Sequence, residues 1–514
     1  MEGKREAMEV KQDATRKALV LCAVCLAGLI LPLEYTGPAM ALSAIGAQLG
    51  GSSVALAWVV NAFALSFGSA IMAAGTLADL YGRKRMFCWG IGSFTLLSIM
   101  VSCAPNVVFL DLVRGLQGIA AALTMAGGSA TLAQEFQGHA RTRAFGLLGT
   151  AFGLGLAFGP VVSGLLVEHF NWRAIFLLGA AFGALAWLLA APRMFESRDP
   201  DARHLDWAGV LSFSAMLVAL TFAIMQVPAQ GWRSVTVVGL LLGALLLLAL
   251  FVRIERRQMR PMLDLSLFAD RRFVGVQLLP IATALSFIVL LILLPLRFVG
   301  VEQLSAGQAG LLMMGLSLPM LLVPFLAALL ARHIAPANLC CAGLLLAGVG
   351  LLWLARVEVG ADWLALCLPM LLIGVGSAMP WGLMDDLSIK VVSVERAGMA
   401  TGIFTTMRAC GEAVCVAAAL AILNSLLQLP LDAVLAEPAA KAVAGELATG
   451  SFAAAQANAA ALTRADLMAL YGDAFASLTN GLAALTLAAA LVSRWALREP
   501  QSGYPAPAAP RSPR

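Results

Sequence analysis

Fourteen apolar stretches, each long enough to cross a lipid bilayer, divide the chain and leave it few other ways to fold. They run at 18–42, 56–77, 86–103, 108–132, 144–167, 174–191, 208–227, 235–252, 274–296, 309–330, 337–355, 363–383, 399–423 and 474–492. A spanning helix needs about 20 apolar residues, whereas a barrel strand needs about ten of alternating polarity, so these runs are expected to be helices. Of the 514 residues, 61% are hydrophobic and 12% charged, against roughly 45–50% and about 25% in soluble domains. That composition excludes a soluble enzyme, a disordered scaffold, a nucleic-acid binder and a disulfide-stapled secreted domain. The net charge of +5 is too small to argue for nucleic acid.

Charge placement tests the count of spans. Short cytoplasmic loops are rich in Lys and Arg. With both ends inside, 26 of the 34 Lys and Arg fall on inside segments, five outside (Arg173, Arg233, Arg356, Lys441, Arg464) and three in or at the edge of spans. The densest inside segments are the N-terminal tail, Arg83 to Arg85, and the loop from Arg253 to Arg272 that includes Arg260. The asymmetry alternates loop after loop, as it would not with a wrong count. The expected fold is an all-α polytopic membrane protein with 14 spans and cytoplasmic N and C termini.

Residues 1–17 are hydrophilic and lead into no cleavable signal. Residues 430–471 form a long Ala-rich outer loop, expected to hold short helices lying against the membrane, and the Pro- and Ala-rich tail at 498–514 is expected to be disordered. The nine cysteines all lie in apolar stretches, so no disulfide framework is implied, and Cys22 and Cys25 are read as packing residues despite their CxxC spacing. The four histidines (His139, His169, His204, His333) lie apart and no HExxH occurs, so no metal site is expected.

Ionisable groups inside a span are costly and mark function by default. Five qualify: Glu34, Asp111, Arg114, Arg408 and Glu412. Glu34 comes sixteen residues into the first stretch, about 24 Å along a helix and past the midplane. A carboxyl group there can hold a proton in one conformation and release it in another. Arg114 keeps its charge and needs an anionic partner or backbone carbonyls; Glu34 is one candidate, and Asp111, three residues earlier on the same face, is another. Arg408 and Glu412 stand i, i+4 on the thirteenth stretch and are expected to neutralise each other, as are Asp386 and Lys390 at the end of the twelfth. Asp385 points about 100° away from Asp386 and lacks such a partner, which makes it the second candidate carboxylate. The fifth stretch, with Gly149, Gly153, Gly155, Gly159, Pro160 and Gly164, suits a helix that packs closely and bends at its proline.

Several motifs taken in order resemble the major facilitator superfamily, and within it the fourteen-helix drug:proton antiporter branch. Gly75, Asp79, Gly82, Arg83 and Lys84 match the loop motif G-x-L-A-D-R-x-G-R-K, with Leu80 in place of its first Arg. Arg114, Gln117 and Gly118 match R-x-x-Q-G, and Gly155, Gly159, Pro160 and Gly164 match the antiporter motif, with Ser163 for one of its paired glycines. Leu33 to Thr36 aligns with L-D-x-T, Glu34 replacing Asp; Trp58-Val59, Asn171 to Arg173, Asp206 to Gly209, Pro261 to Phe268 and Arg396 to Arg408 also resemble the branch. Ala39 stands where Asn is usual, and Glu412 where a small residue is common.

The resemblance implies two six-helix halves, at 18–192 and 273–497, with two helices inserted at 193–272. The halves would rock about a central cavity. It implies that Asp79 and Arg83 latch the halves on the cytoplasmic side; Glu34, Arg114 and Asp385 are the residues expected to serve proton coupling. Glu34, Tyr35, Trp58, Phe63, Trp381, Arg408 and Glu412 would then line the substrate cavity. The implied activity is proton-driven efflux of small lipophilic, cationic compounds across the cytoplasmic membrane, without enzymatic chemistry. No nucleotide motif GxxxxGK[ST] appears and no cofactor is expected. Import of a small metabolite and a non-transporting sensor are the alternatives. The expected partners are a small-molecule substrate, protons and the lipid bilayer; a periplasmic adaptor protein is a candidate partner, and a monomer is expected.

Overall fold

A computed structural model describes residues 2–198, 206–258, 263, 265–392, 397–459 and 461–498. Arg203, His204, Arg260, Pro261, Arg396 and the tail from 499 on, including Arg511 and Arg514, lie outside the described residues. Among the described residues there is no strand. Fourteen helices are long and apolar enough to cross a membrane.

The first eight spans are α1 (Glu2–Leu49), α2 (Ser53–Tyr81), α3 (Arg83–Ser102), α4 (Val107–Glu135), α5 (Gly138–His169), α6 (Arg173–Ala190), α7 (Trp207–Gln230) and α8 (Val235–Glu255). The next five are α9 (Arg271–Val301), α10 (Ala306–Leu330), α11 (Pro336–Leu354), α12 (Trp363–Lys390) and α13 (Ala397–Leu431). Two short helices follow, α14 (Glu437–Ala448) and α15 (Phe452–Asn458), before the last span, α16 (Arg464–Leu497).

Helix ends sit where the chain meets water and small polar residues can take the orphan amides. Asn106 accepts from Phe109 N at 2.9 Å and Ser234 from Val237 N at 3.1 Å. Ser305 and Gln308 close a full capping box at the start of α10. α9 departs from regular geometry, with π-turns at Ala284–Ile288 and Leu296–Val301 near Pro280 and Pro295. α10 is interrupted at Leu318, just before Pro319, and α12 at Gly382 and Leu383.

The spans pack in two groups. α1 lies on α5 and α6, α2 on α4, and α3 on α4 and α6; in the second group α11 lies on α12 and α16, α16 on α9, and α10 on α12. The groups meet where α5 faces α10 and α2 faces α13. α7 closes the seam between α2 and α13, while α8 packs on α7 and turns Leu242, Leu245 and Leu246 outward, as lipid requires. The outer loop holds two short helices, of which α14 packs on α13, α2, α7 and the end of α9, and buries Ala440, Val443, Ala444 and Leu447. Its apolar residues repeat every three or four positions, and the seam between the groups gives that face a dry partner.

Candidate functional site

The buried charges of the first group form one network. Gly118 sits one turn beyond Arg114, and a Cβ at Gly118 would collide with Ser66 Oγ and the Phe63 carbonyl. The missing side chain lets α4 close on α2, bringing Arg114 Nε within 3.0 Å of the Val59 carbonyl and its guanidinium 4.5 Å from the Phe63 ring centroid. Arg114 also donates from Nη2 to the Glu34 carbonyl at 3.1 Å and from Nη1 to Gln117 Oε1 at 2.7 Å. Its Nη1 stands 3.7 Å from Glu34 Oε2, with both side chains 0% exposed. Gln117 Nε2 bridges Glu34 Oε2 at 3.4 Å and Ser98 Oγ at 2.7 Å. Thus Arg114 turns to Glu34 and backbone carbonyls; Asp111 Oδ1 is buried with no hydrogen-bond partner.

Glu34 Oε1 is also buried and unpartnered, and Gly179 of α6 faces it so closely that a Cβ there would overlap the oxygen. Glu34 is therefore enclosed within the first group rather than presented at the seam. The next residue, about 100° around the helix, takes the other direction. Tyr35 lies within electrostatic reach of Glu412 on α13, in the second group, and its hydroxyl is buried without a partner.

Arg408 divides its partners: it attracts Glu412 one turn on, while its hydrogen bond runs to Asp385, at 3.4 Å, and its guanidinium stands 5.5 Å from the Trp381 ring and 5.6 Å from Phe404. Asp385, expected to lack a partner, has this one, because the break at Gly382 and Leu383 redirects the last turns of α12 toward α13. Asp386 pairs with Lys390 at 2.6 Å as the spacing predicts. Trp381 stacks on Phe152 of α5 with centroids 6.4 Å apart, and Trp58 packs against Phe222 of α7 at 5.9 Å. Phe63 is buried against Arg114, so of the expected cavity residues Tyr35, Trp381, Arg408 and Glu412 stand toward the seam, whereas Glu34 and Phe63 stand inside the first group.

α5 links both sides of this arrangement. Cβ atoms at Gly155 and Gly159 would strike the Leu29 carbonyl and Thr36 Oγ1 of α1, and one at Gly164 would strike the Ala306 carbonyl of α10. On the face toward α10, Ser317 Oγ donates to the Ala157 carbonyl at 2.7 Å, and a Cβ at Gly310 would lie 2.9 Å from the Pro160 carbonyl. Glu168, a residue that sequence reasoning passed over, accepts from Gly307 N and Ser305 Oγ at the start of α10. Further along the same stripe the helices part: a Cβ at Gly153 would sit 3.4 Å from the Met320 carbonyl, and at Gly149 and Gly146 it would meet nothing within 4 Å. Along this pair, α5 and α10 therefore touch at the face opposite the termini and separate toward the face that carries them.

On that terminal face Gly82, at φ +114°, makes the tight turn from α2 to α3, a conformation that favours glycine. Asp79 Oδ1 accepts from Arg83 at 3.1 Å, and Arg83 also donates to Gln134 at 3.2 Å. Lys84 is half-buried, and a Cβ at Gly75 would meet nothing within 4 Å. The partners of Asp79 and Arg83 thus belong to the first group.

Two groups of tightly packed spans, a seam between them and charges buried within the spans are the features of a membrane transporter. The chain matches the Major Facilitator Superfamily model over residues 24–415, and it belongs to that superfamily. It is a multi-pass protein of the cytoplasmic membrane. It is 34% identical over 382 residues to "Multidrug resistance protein Stp" of Mycobacterium tuberculosis, covering 74% of this chain and 70% of that one. It is 27% identical to "Multidrug efflux pump LfrA" of Mycolicibacterium smegmatis, covering 93% and 94% of the two chains. Among solved structures, a bacterial homolog of the human lysosomal transporter Spinster, in an inward-facing and unoccupied conformation, shares the fold with a TM-score of 0.64 at 14% identity, covering 94% and 97%.

Proposed function

We propose that the protein is a proton-coupled antiporter that exports small lipophilic cations by alternating access, with the terminal face in the cytoplasm. The basic loops support that orientation, and the separation of α5 from α10 toward the same face supports an inward-open state. The relatives named as multidrug resistance and efflux proteins support export of drug-like compounds.

The observation that carries the coupling is Glu34: a fully buried carboxylate, with one oxygen held by Gln117 near Arg114 and the other free. Removing one partner of a buried ion pair leaves an uncompensated charge. A proton on Glu34 would cancel its attraction to Arg114 and release Arg114 to its carbonyl partners. The same helix carries Tyr35 toward Glu412, so a rotation or bend of α1 would reach both the proton site and the seam. Glu412, within electrostatic reach of Tyr35, supplies the negative charge a lipophilic cation needs, and aromatic faces such as that of Trp381 supply its wall. One proton driven by 100 mV delivers about 2.3 kcal/mol, enough to support export against a modest gradient.

The test uses everted membrane vesicles with an imposed proton gradient and ethidium as substrate. Wild type should dissipate the gradient when ethidium is added, and Glu34→Gln should not. If Glu34→Gln retains substrate-driven proton flux, the coupling assignment is wrong; if wild type responds to no lipophilic cation, the cation assignment is wrong.

A further inference from the structure

One cavity lies away from both buried charge networks. It measures about 640 Å³ and sits at the face opposite the termini, between the end of α1, the start of α2 and the end of α9, under the α14–α15 loop. Its floor includes Ser43, Ala47 and Leu56 from the first group and Val299 and Gln303 from the second; its roof includes Glu446 and Phe452. It therefore spans the seam where a substrate crossing the protein has to emerge. The volume lies within the roughly 300–1,000 Å³ typical of small-molecule sites.

Its chemistry is one-sided. The lining residues include one ionisable group, Glu446, and no Lys or Arg. Glu446 Oε1 accepts from Asn458 Nδ2 at 2.8 Å, while Oε2 is buried with no hydrogen-bond partner. Among the described residues Glu446 makes no ion pair, although Lys441, five positions away on the same helix, pairs with Glu437 at 2.6 Å. Burial pushes the Glu446 carboxyl above its ordinary range, partly opposed by the Asn458 bond. A half-buried carboxylate without a counter-ion is costly by itself and gains most from a cation brought to it.

A smaller cavity of about 30 Å³ lies deeper along the same seam, lined by Asn61 of α2 and Asn424 of α13. Both side chains are buried, at 0% and 5% exposure, and each has an amide oxygen without a partner. Thr449 lines both cavities, so they stand in line beneath α14. The roof is held by close backbone approach: a Cβ at Gly300 of α9 would collide with the backbone of Gly450, which takes φ +76° between α14 and α15.

We propose that the cavity under α14 and α15 is a second binding site for organic cations, with Glu446 as its counter-charge, where a substrate leaving the seam halts before release. The uncharged amide oxygens of Asn61 and Asn424 form the polar step below it. As an exit station the site rests on the efflux reading above; as a cation site it rests on the cavity and its carboxylate.

The full-length protein in lipid nanodiscs is titrated with ethidium by isothermal calorimetry, as wild type and as Glu412→Gln, Glu446→Gln, Glu446→Asp, Ala47→Trp and Glu412→Gln/Glu446→Gln. Each variant is first passed over a sizing column to establish that it is folded. The expected result is ethidium binding that survives Glu412→Gln, weakens about tenfold in Glu446→Gln and in the cavity-filling Ala47→Trp, and is restored by Glu446→Asp. Binding abolished by Glu412→Gln and unchanged by Glu446→Gln and Ala47→Trp overturns the second site and leaves the efflux reading intact. Wild type that binds no ethidium overturns both.

Discussion

Glu168 and Gly307 tie the two halves of the molecule together: the carboxylate at the end of α5 accepts from the Gly307 amide at 2.7 Å and from Ser305 Oγ at 3.1 Å. A side chain of the first group thus helps cap a helix of the second. Helix N-termini carry partial positive charge and unpaired amides, so a carboxylate placed there is doubly favoured. Loss of a cap costs about 1 kcal/mol, about a fivefold change in the ratio of closed to open forms. Glu168→Gln and Glu168→Ala should raise the population open at this face. Spin-label distances between α5 and α10 would read it, and an unchanged distance distribution would show that the contact does not hold the face closed.

Gly179 is expected to tolerate no side chain. Its Cβ would overlap Glu34 Oε1, and overpacking a filled site costs about 1–3 kcal/mol. Gly179→Ala should lower the thermal midpoint and ethidium-driven proton flux together. Gly239→Ala on α8, where a Cβ meets nothing within 4 Å, should change neither. Normal flux in Gly179→Ala would argue that the carboxylate works from another position.

Arg114→Lys is not a conservative change here. The guanidinium serves the Val59 carbonyl, the Glu34 carbonyl and Gln117 from three nitrogens at once, and a lysine is a single point of charge on a flexible stem. Arg114→Met, which leaves Glu34 uncompensated, should cost about 3–5 kcal/mol, and Arg114→Lys should fall between it and wild type. Thermal unfolding in detergent with Glu34→Gln as a second background would check this; the penalty of Arg114→Met should shrink when Glu34 is neutralised.

Asp385→Asn should be mild. Asp385 is 62% exposed and Arg408 21%, and an ion pair in contact with water contributes about 0–1 kcal/mol. Transport of ethidium by Asp385→Asn should stay near wild type, while Glu412→Gln, which removes a carboxylate within electrostatic reach of Tyr35, should weaken it clearly. The reverse order of effects would move the proposed cation contact from Glu412 to Asp385.

Much of the fold was legible because the bilayer makes length and polarity decisive. Each of the fourteen apolar stretches has a matching span, although the structure extends several: 274–296 became Arg271–Val301 and 474–492 became Arg464–Leu497. The glycine motifs were legible as places of close approach, and Gly118, Gly155, Gly159 and Gly164 all have backbone or short side chains where a Cβ would go. The partners were less legible. Spacing at i, i+4 suggested Arg408 with Glu412, but an arginine reaches off its own helix as readily as along it, and its hydrogen bond runs to Asp385. Glu168 carried no signal in sequence, since an acid at the end of a span reads as solvated until the helix it caps is placed beside it.

By itself, then, the sequence determined how many times the chain crosses the membrane, which loops carry its basic residues and which few charges lie within the spans, because all three follow from local composition measured against a slab of fixed thickness. Tertiary structure alone decided that Glu34 faces Gly179, that Glu168 bridges the halves, and that α14 packs across the seam on α2, α7 and α13. Those outcomes depend on the rotation of each helix about its axis and on which helices become neighbours. Both are set by contacts between residues far apart in the chain, and no local pattern encodes them.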